Sequence, residues 1–72
     1  YLETLIAITN DYSKEFEIKE NDNLFEVGIS SLTLSEIMMA IDEIYPDKIS
    51  LDDIFDNPTL KELSKLLQTR NT

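Results

Sequence analysis

The chain is expected to fold as an all-α bundle of four helices, three longer and a short third, with a long first loop. Three observations lead there. Apolar residues recur at spacings of three and four in separate stretches, the period of a helix with one buried face. Serine, threonine and proline stand where such stretches would start and stop. No stretch alternates apolar and polar residues convincingly, so no sheet is expected.

The first helix covers residues 2–12. Leu2, Leu5, Ile6, Ile8, Thr9 and Tyr12 form its inward stripe, while Glu3, Thr4, Asn10 and Asp11 fall largely elsewhere. Residues 13–28 read as a loop rich in charge and asparagine. A loop of that length in a small domain needs apolar anchors or a function, and Phe16, Ile18, Leu24 and Phe25 are the candidate inward anchors. Asp22-Asn23 reads as a turn, opening one short helical turn through Glu26.

The second helix should run from Ser31 to Tyr45. Ser30 is its natural N-cap, because a serine oxygen can accept a backbone N–H of the first turn. Leu34, Ile37, Met38, Ile41, Ile44 and Tyr45 make the apolar stripe, with Leu32 and Met39 towards its edge. Pro46 ends the helix, since its ring disfavours helical geometry at the residue before it.

Ser50-Leu51-Asp52-Asp53 looks like a third start, a serine cap followed by acids where the helix dipole favours them. That helix ends near Phe55 or Asp56, with Ile54 and Phe55 packing inward. Asn57-Pro58-Thr59 breaks the chain and restarts it. Thr59 and Glu62 form a capping box for the fourth helix, in which Leu60, Leu63, Leu66 and Leu67 line one side. Lys65 and Arg70 lie towards its C-terminal end, where cations are favoured. Residues 1–70 make a single domain, with Asn71 and Thr72 frayed.

Seventy-two residues bury only about 60% of the unfolded chain's surface, so stability should be a few kcal/mol. An apolar fraction of 42% is ample for a folded core. With no cysteine, neither a disulfide nor a Cys-based zinc site is available. No apolar run is long enough to span a membrane, and a cytoplasmic location is expected. The first residue is Tyr1 rather than Met, which suggests a processed product or a piece of something longer. Fifteen acidic against six basic residues give a net charge of −9, which disfavours nucleic acid and favours basic partner surfaces.

The chemistry is equally bounded. There is no histidine, the usual base for a serine nucleophile, and no lysine lies close in sequence to Ser30 or Ser31. Without Cys or His, only a carboxylate site for a hard cation remains. Neither Asn21-Asp22-Asn23 nor Asp52-Asp53 is followed by the glycine that a calcium loop requires. An autonomous enzyme is not expected. Ser31 would be the first helical residue, at the positive end of the helix dipole, where a phosphodiester would be favoured by roughly 0.3–1 kcal/mol. On the residues alone, Ser30 and Ser31 read either as capping residues only or as a cap beside a modification site.

The stretch Asn23-Leu24-Phe25-Glu26-Val27-Gly28-Ile29-Ser30-Ser31-Leu32 resembles the attachment motif of acyl and peptidyl carrier proteins. That motif is Leu-Phe, an acid, an aliphatic residue, Gly, two variable positions, Ser and Leu. Residues 49–60, especially Phe55-x-x-Pro58-Thr59, resemble the third-helix region of the same family, and the spacing between the blocks also agrees. The resemblance implies a four-helix bundle with 4′-phosphopantetheine attached covalently to Ser31, the serine immediately before Leu32. Ser30 stands where the family most often has Asp, which keeps a cap but loses a charge. The neighbourhood stays acidic through Glu26, Glu36, Asp42 and Glu43.

The resemblance further implies a monomeric, non-catalytic carrier modified by a phosphopantetheinyl transferase that uses coenzyme A and magnesium. It would hold acyl, aminoacyl or peptidyl groups as thioesters for loading and condensing enzymes with basic docking surfaces. The Phe55-x-x-Pro58-Thr59 ending is more like carriers of polyketide and nonribosomal peptide assembly than those of primary fatty acid synthesis. A freestanding carrier of D-alanine or a specialised acyl group is the neighbouring option. Leu32, Glu36, Met39, Asp42 and Glu43 are the candidate partner contacts. The rival from another class is an unmodified acidic helical docking module that binds a basic partner and tolerates loss of Ser31.

Overall fold

The computed structural model describes residues 1–15 and 17–70. Its helices are α1 (Leu2–Tyr12), α2 (Ser31–Ile44), α3 (Leu51–Asp56) and α4 (Leu60–Arg70), and no strand forms among the described residues. The expected all-α bundle with a short third helix is therefore what the chain adopts. The bounds of α1 and α3 agree with the sequence reading. α2 stops at Ile44, one residue earlier than expected. Tyr45 takes φ −125° and ψ 74°, because Pro46 pushes the preceding residue out of helical geometry.

α1 is the central plank, packed against both α2 and α4. Leu5 and Ile8 of α1, Ile37 and Ile41 of α2, and Leu60, Leu63 and Leu67 of α4 form one buried cluster with Ile18, Leu24 and Ile54. Each such side chain contributes about 1.5–3 kcal/mol by leaving water. Thr9 is the one buried polar side chain among the described residues. Its hydroxyl donates to the Leu5 carbonyl at 2.7 Å, so burial leaves no orphaned group.

The long first loop is anchored as expected by Ile18 and Leu24, both buried. Asn10 supplies a second anchor that the helical wheel gave no hint of. Its Oδ1 accepts from the Ile18 N–H at 2.8 Å, and its Nδ2 donates to the Ile18 carbonyl at 3.1 Å. Further along, the Asn23 carbonyl accepts from Glu26 and Val27 N–H at 2.9 and 3.1 Å, the short helical turn expected there. The loop also joins α4's approach, with Leu24 N–H donating to the Pro58 carbonyl at 2.8 Å. Phe16, proposed as an anchor, and Asn71-Thr72, proposed as frayed, lie outside the described residues.

Five further expectations are corrected. Phe25 and Phe55 do not pack inward: they are 43% and 59% exposed, and they stack on one another with centroids 5.1 Å apart and planes 3° from parallel. A helix of six residues lying against a bundle inserts essentially one side chain, and Ile54 takes that place. Phe55 follows it about 100° further round the helix and is carried to the rim. Tyr12 and Ile44 also leave the core, because each sits in the last turn of its helix, where the face runs past its partner. At α4 the Thr59 hydroxyl accepts from Glu62 N–H at 3.2 Å and donates to Glu62 Oε1 at 2.9 Å, so Glu62 engages the hydroxyl of Thr59. The full reciprocal capping box belongs to α3, between Ser50 and Asp53.

Candidate functional site

Gly28 has φ 96°, a left-handed conformation that costs a side chain with a Cβ but not glycine. This bend turns the chain from the loop into the approach to α2. Ser30 then adopts φ −70° and ψ 158°, the extended geometry of an N-cap. Its Oγ accepts from Thr33 N–H at 3.2 Å and donates to Thr33 Oγ1 at 3.0 Å. The Ser30 hydroxyl is thereby occupied with starting the helix. Ser31 is the first residue of α2 and is exposed. Ser30 is exposed as well, so the two adjacent serines differ in hydrogen bonding, with Ser30 serving as the cap, and not in exposure.

Beside Ser31 lies a groove of about 480 Å³ lined by Phe25, Ile29, Ser31, Leu34, Ser35, Met38, Leu51 and Phe55. Its walls are mostly apolar, and the stacked Phe25–Phe55 pair forms one of them. Neither phenylalanine had been assigned to the site from the sequence. The signal that could have found them is the shortness of the third helix, which cannot bury adjacent Ile54 and Phe55 together.

The outer face of α2 carries a regular stripe. Leu32, Glu36, Met39 and Glu43 are spaced by four, three and four residues, so they lie above one another on the helix. All four are exposed, with Leu32 at 72% and Met39 at 69%. Asp42 is exposed too, but it also has an internal task. Its Oδ1 accepts from the N–H of Asp47 at 3.0 Å, where Asp47 takes a left-handed φ of 60° in the turn after Pro46. Glu26 is exposed on the loop before Gly28.

α2 contains no basic residue and the chain contains no histidine, the usual base beside a nucleophilic serine. Among the described residues no group of three or more His, Cys, Asp or Glu side chains could hold a metal ion. No described helix is long and apolar enough to cross a membrane.

The family model for the phosphopantetheine attachment site matches residues 3–67, nearly the whole chain. The chain is also 33% identical over 69 residues to bacitracin synthase 3 of Bacillus licheniformis. That match covers 92% of this chain but about 1% of the relative's length. No solved structure matches the chain. With its helical bundle and the matched motif, the chain belongs to the phosphopantetheine attachment site family, the carriers defined by a covalently attached 4′-phosphopantetheine.

Proposed function

We propose that Ser31 is the residue that carries the 4′-phosphopantetheine arm. The observation that carries this reading is the division of labour at the start of α2. Ser30 spends its hydroxyl on the Thr33 cap, while Ser31 presents an exposed hydroxyl at the first helical position. The residues fit the group. A phosphodiester on Ser31 would meet the N–H groups and positive dipole end of α2, a favourable field of roughly 0.3–1 kcal/mol. The mostly apolar groove lined by Ile29, Leu34, Met38 and Phe55 offers adjacent surface along which an attached chain could lie. When bound, the arm supplies a terminal thiol that holds acyl or aminoacyl groups as thioesters.

The chain's own residues then have three tasks. Gly28 and Ser30 set the backbone that exposes Ser31. With no histidine in the chain to serve as the usual base, attachment falls to a phosphopantetheinyl transferase, and the domain, residues 1–70, acts as a non-catalytic carrier. Leu32, Glu36, Met39 and Glu43 offer partner enzymes a stripe in which apolar and acidic side chains alternate, complementary to a surface with both apolar and basic groups. Asp42 joins that acid only in part, since it also caps the Asp47 turn. Similarity to a bacitracin synthase supports thiotemplate assembly of the nonribosomal rather than the polyketide kind; a cytoplasmic location remains the proposal made from the sequence.

The test is a pair of substitutions. Incubation with coenzyme A, magnesium and a transferase should add one phosphopantetheine to the wild-type chain and to Ser30→Ala, and none to Ser31→Ala. Modification of Ser31→Ala at the wild-type rate would overturn the assignment and leave an unmodified docking module as the better account.

A further inference from the structure

Arg70, the last residue of α4, reaches the start of α3. Its guanidinium donates to both oxygens of Asp53, Nη1 to Oδ2 at 2.6 Å and Nη2 to Oδ1 at 2.9 Å. Nη1 also donates to the Lys48 carbonyl at 2.6 Å, and Lys48 Nζ donates to the Arg70 carbonyl at 3.4 Å. The same Asp53 Oδ2 accepts from Ser50 N–H at 2.8 Å and from Ser50 Oγ at 3.0 Å. One carboxylate thus closes the capping box of α3 and receives the guanidinium of α4.

α3 has little else to hold it. Ile54 is its one buried residue, and the main helix packing joins α1 to α2 and α4. Its far end is closed by Asn57 N–H donating to the Asp53 carbonyl at 2.8 Å and is tied to the first loop by Leu24 N–H donating to the Pro58 carbonyl at 2.8 Å. Most exposed ion pairs contribute almost nothing to stability. This pair differs because it is bidentate and because its carboxylate also serves a cap.

We propose that Arg70 is a positioning residue for α3, and through α3 for Phe55 and the groove beside Ser31. The fork holds the N-terminal end of α3, Pro58 holds the other, and together they keep Phe55 stacked on Phe25. Losing the fork frees one end of a six-residue helix and lets the phenylalanine wall move, while the α1–α2–α4 core stays intact. The importance of this for an arm rests on the Ser31 reading; the clamp itself does not.

Amide hydrogen exchange and ring-proton NMR shifts on the unmodified chain test the proposal. In Arg70→Ala, exchange at the Ile54 and Asn57 amides should rise about tenfold, the scale set by losing charge-assisted hydrogen bonds. Interior amides of α1 should not change, and the ring shifts of Phe25 and Phe55 should both move. Asp53→Asn should repeat the pattern from the other partner. Arg70→Lys should restore it only in part, because an ammonium cannot supply the fork. Unchanged exchange in α3, or equal acceleration in α1 and α3, would overturn the proposal. Neither readout requires modification of Ser31, so failure here is distinguishable from failure of the carrier assignment.

Discussion

α2 and α4 both begin with a hydroxyl cap at 3.2 Å, Ser30 to Thr33 N–H and Thr59 to Glu62 N–H. Their apolar residues are then spent differently. α4 has 11 residues, buries Leu60, Leu63 and Leu67, and keeps Leu66 packed against the same cluster. α2 has 14 residues, yet only Ile37 and Ile41 are buried, while Leu32, Met39 and Ile44 face outward. The core therefore accounts for the whole apolar pattern of α4 and only part of that of α2. The surplus on α2 begins one residue after Ser31. An exposed stripe of alternating apolar and acidic side chains next to the Ser31 hydroxyl is the surface the proposed docking role would use.

The largest effect should come from breaking the α4 side. Leu63→Ala removes a fully buried side chain and should cost about 2–5 kcal/mol in urea denaturation, enough to leave so small a domain largely unfolded. Leu32→Ala on α2 should fall within about 0.5 kcal/mol of wild type. Equal losses from the two would erase the contrast between the helices.

The caps come next. Ser30→Ala and Thr59→Ala should each cost about 1 kcal/mol, because each strips an acceptor from the first turn of a helix. Ser31→Ala should cost almost nothing in the same denaturation series. Ser30→Asp should keep the cap and add about 0.3–1 kcal/mol through the helix dipole. A cap-sized loss from Ser31→Ala would mean that the two serines share the structural work.

A third test uses pH. The Arg70 guanidinium, followed by the Ser50 backbone N–H, holds the Asp53 carboxyl well below the usual carboxylate range. The folded state therefore resists protonation where the unfolded chain, near pKa 3.9, accepts it. The stabilisation is present above about pH 4 and is lost as pH falls below that value towards the folded pKa. The ring-proton shifts of Phe25 and Phe55 in wild type and Arg70→Ala should differ most above pH 4 and converge as acid is added. A difference that stays constant with pH would separate the ring movement from the ion pair.

The smallest structural effect, and the most informative functional one, belongs to the outward stripe. Leu32→Ala and Met39→Ala should leave the fold intact but raise the transferase's KM for the chain several-fold, the kind of loss seen when an interface anchor is truncated. Unchanged KM in both would remove this stripe from the docking surface.

Much of this was legible in the sequence. The helix bounds followed from Ser30, Ser50, Pro46 and Pro58, because caps and proline act within a few residues of themselves. The buried stripes followed from period except at Tyr12 and Ile44, which lie exposed at the ends of their helices. Other features depend on how distant segments meet, and periodicity carries no such information. The Arg70–Asp53 fork joins residues 17 apart in sequence, and Asn10 pins Ile18 eight residues away. Phe25 and Phe55 looked like core because they are large and apolar, but the shortness of α3 brings them together at the rim. Ser31 was singled out by its motif; the bonds of the Ser30 hydroxyl to Thr33, which support the proposed choice, were legible only as a possible cap.

The most direct test of the central claim is an intact-mass measurement of the wild-type chain, followed by peptide mapping, after incubation with coenzyme A, magnesium and a broad-specificity phosphopantetheinyl transferase. One added phosphopantetheine, mapped to Ser31 and not Ser30, is the predicted result. A folded chain that gains no mass with more than one transferase, or gains it at Ser30, would contradict the account.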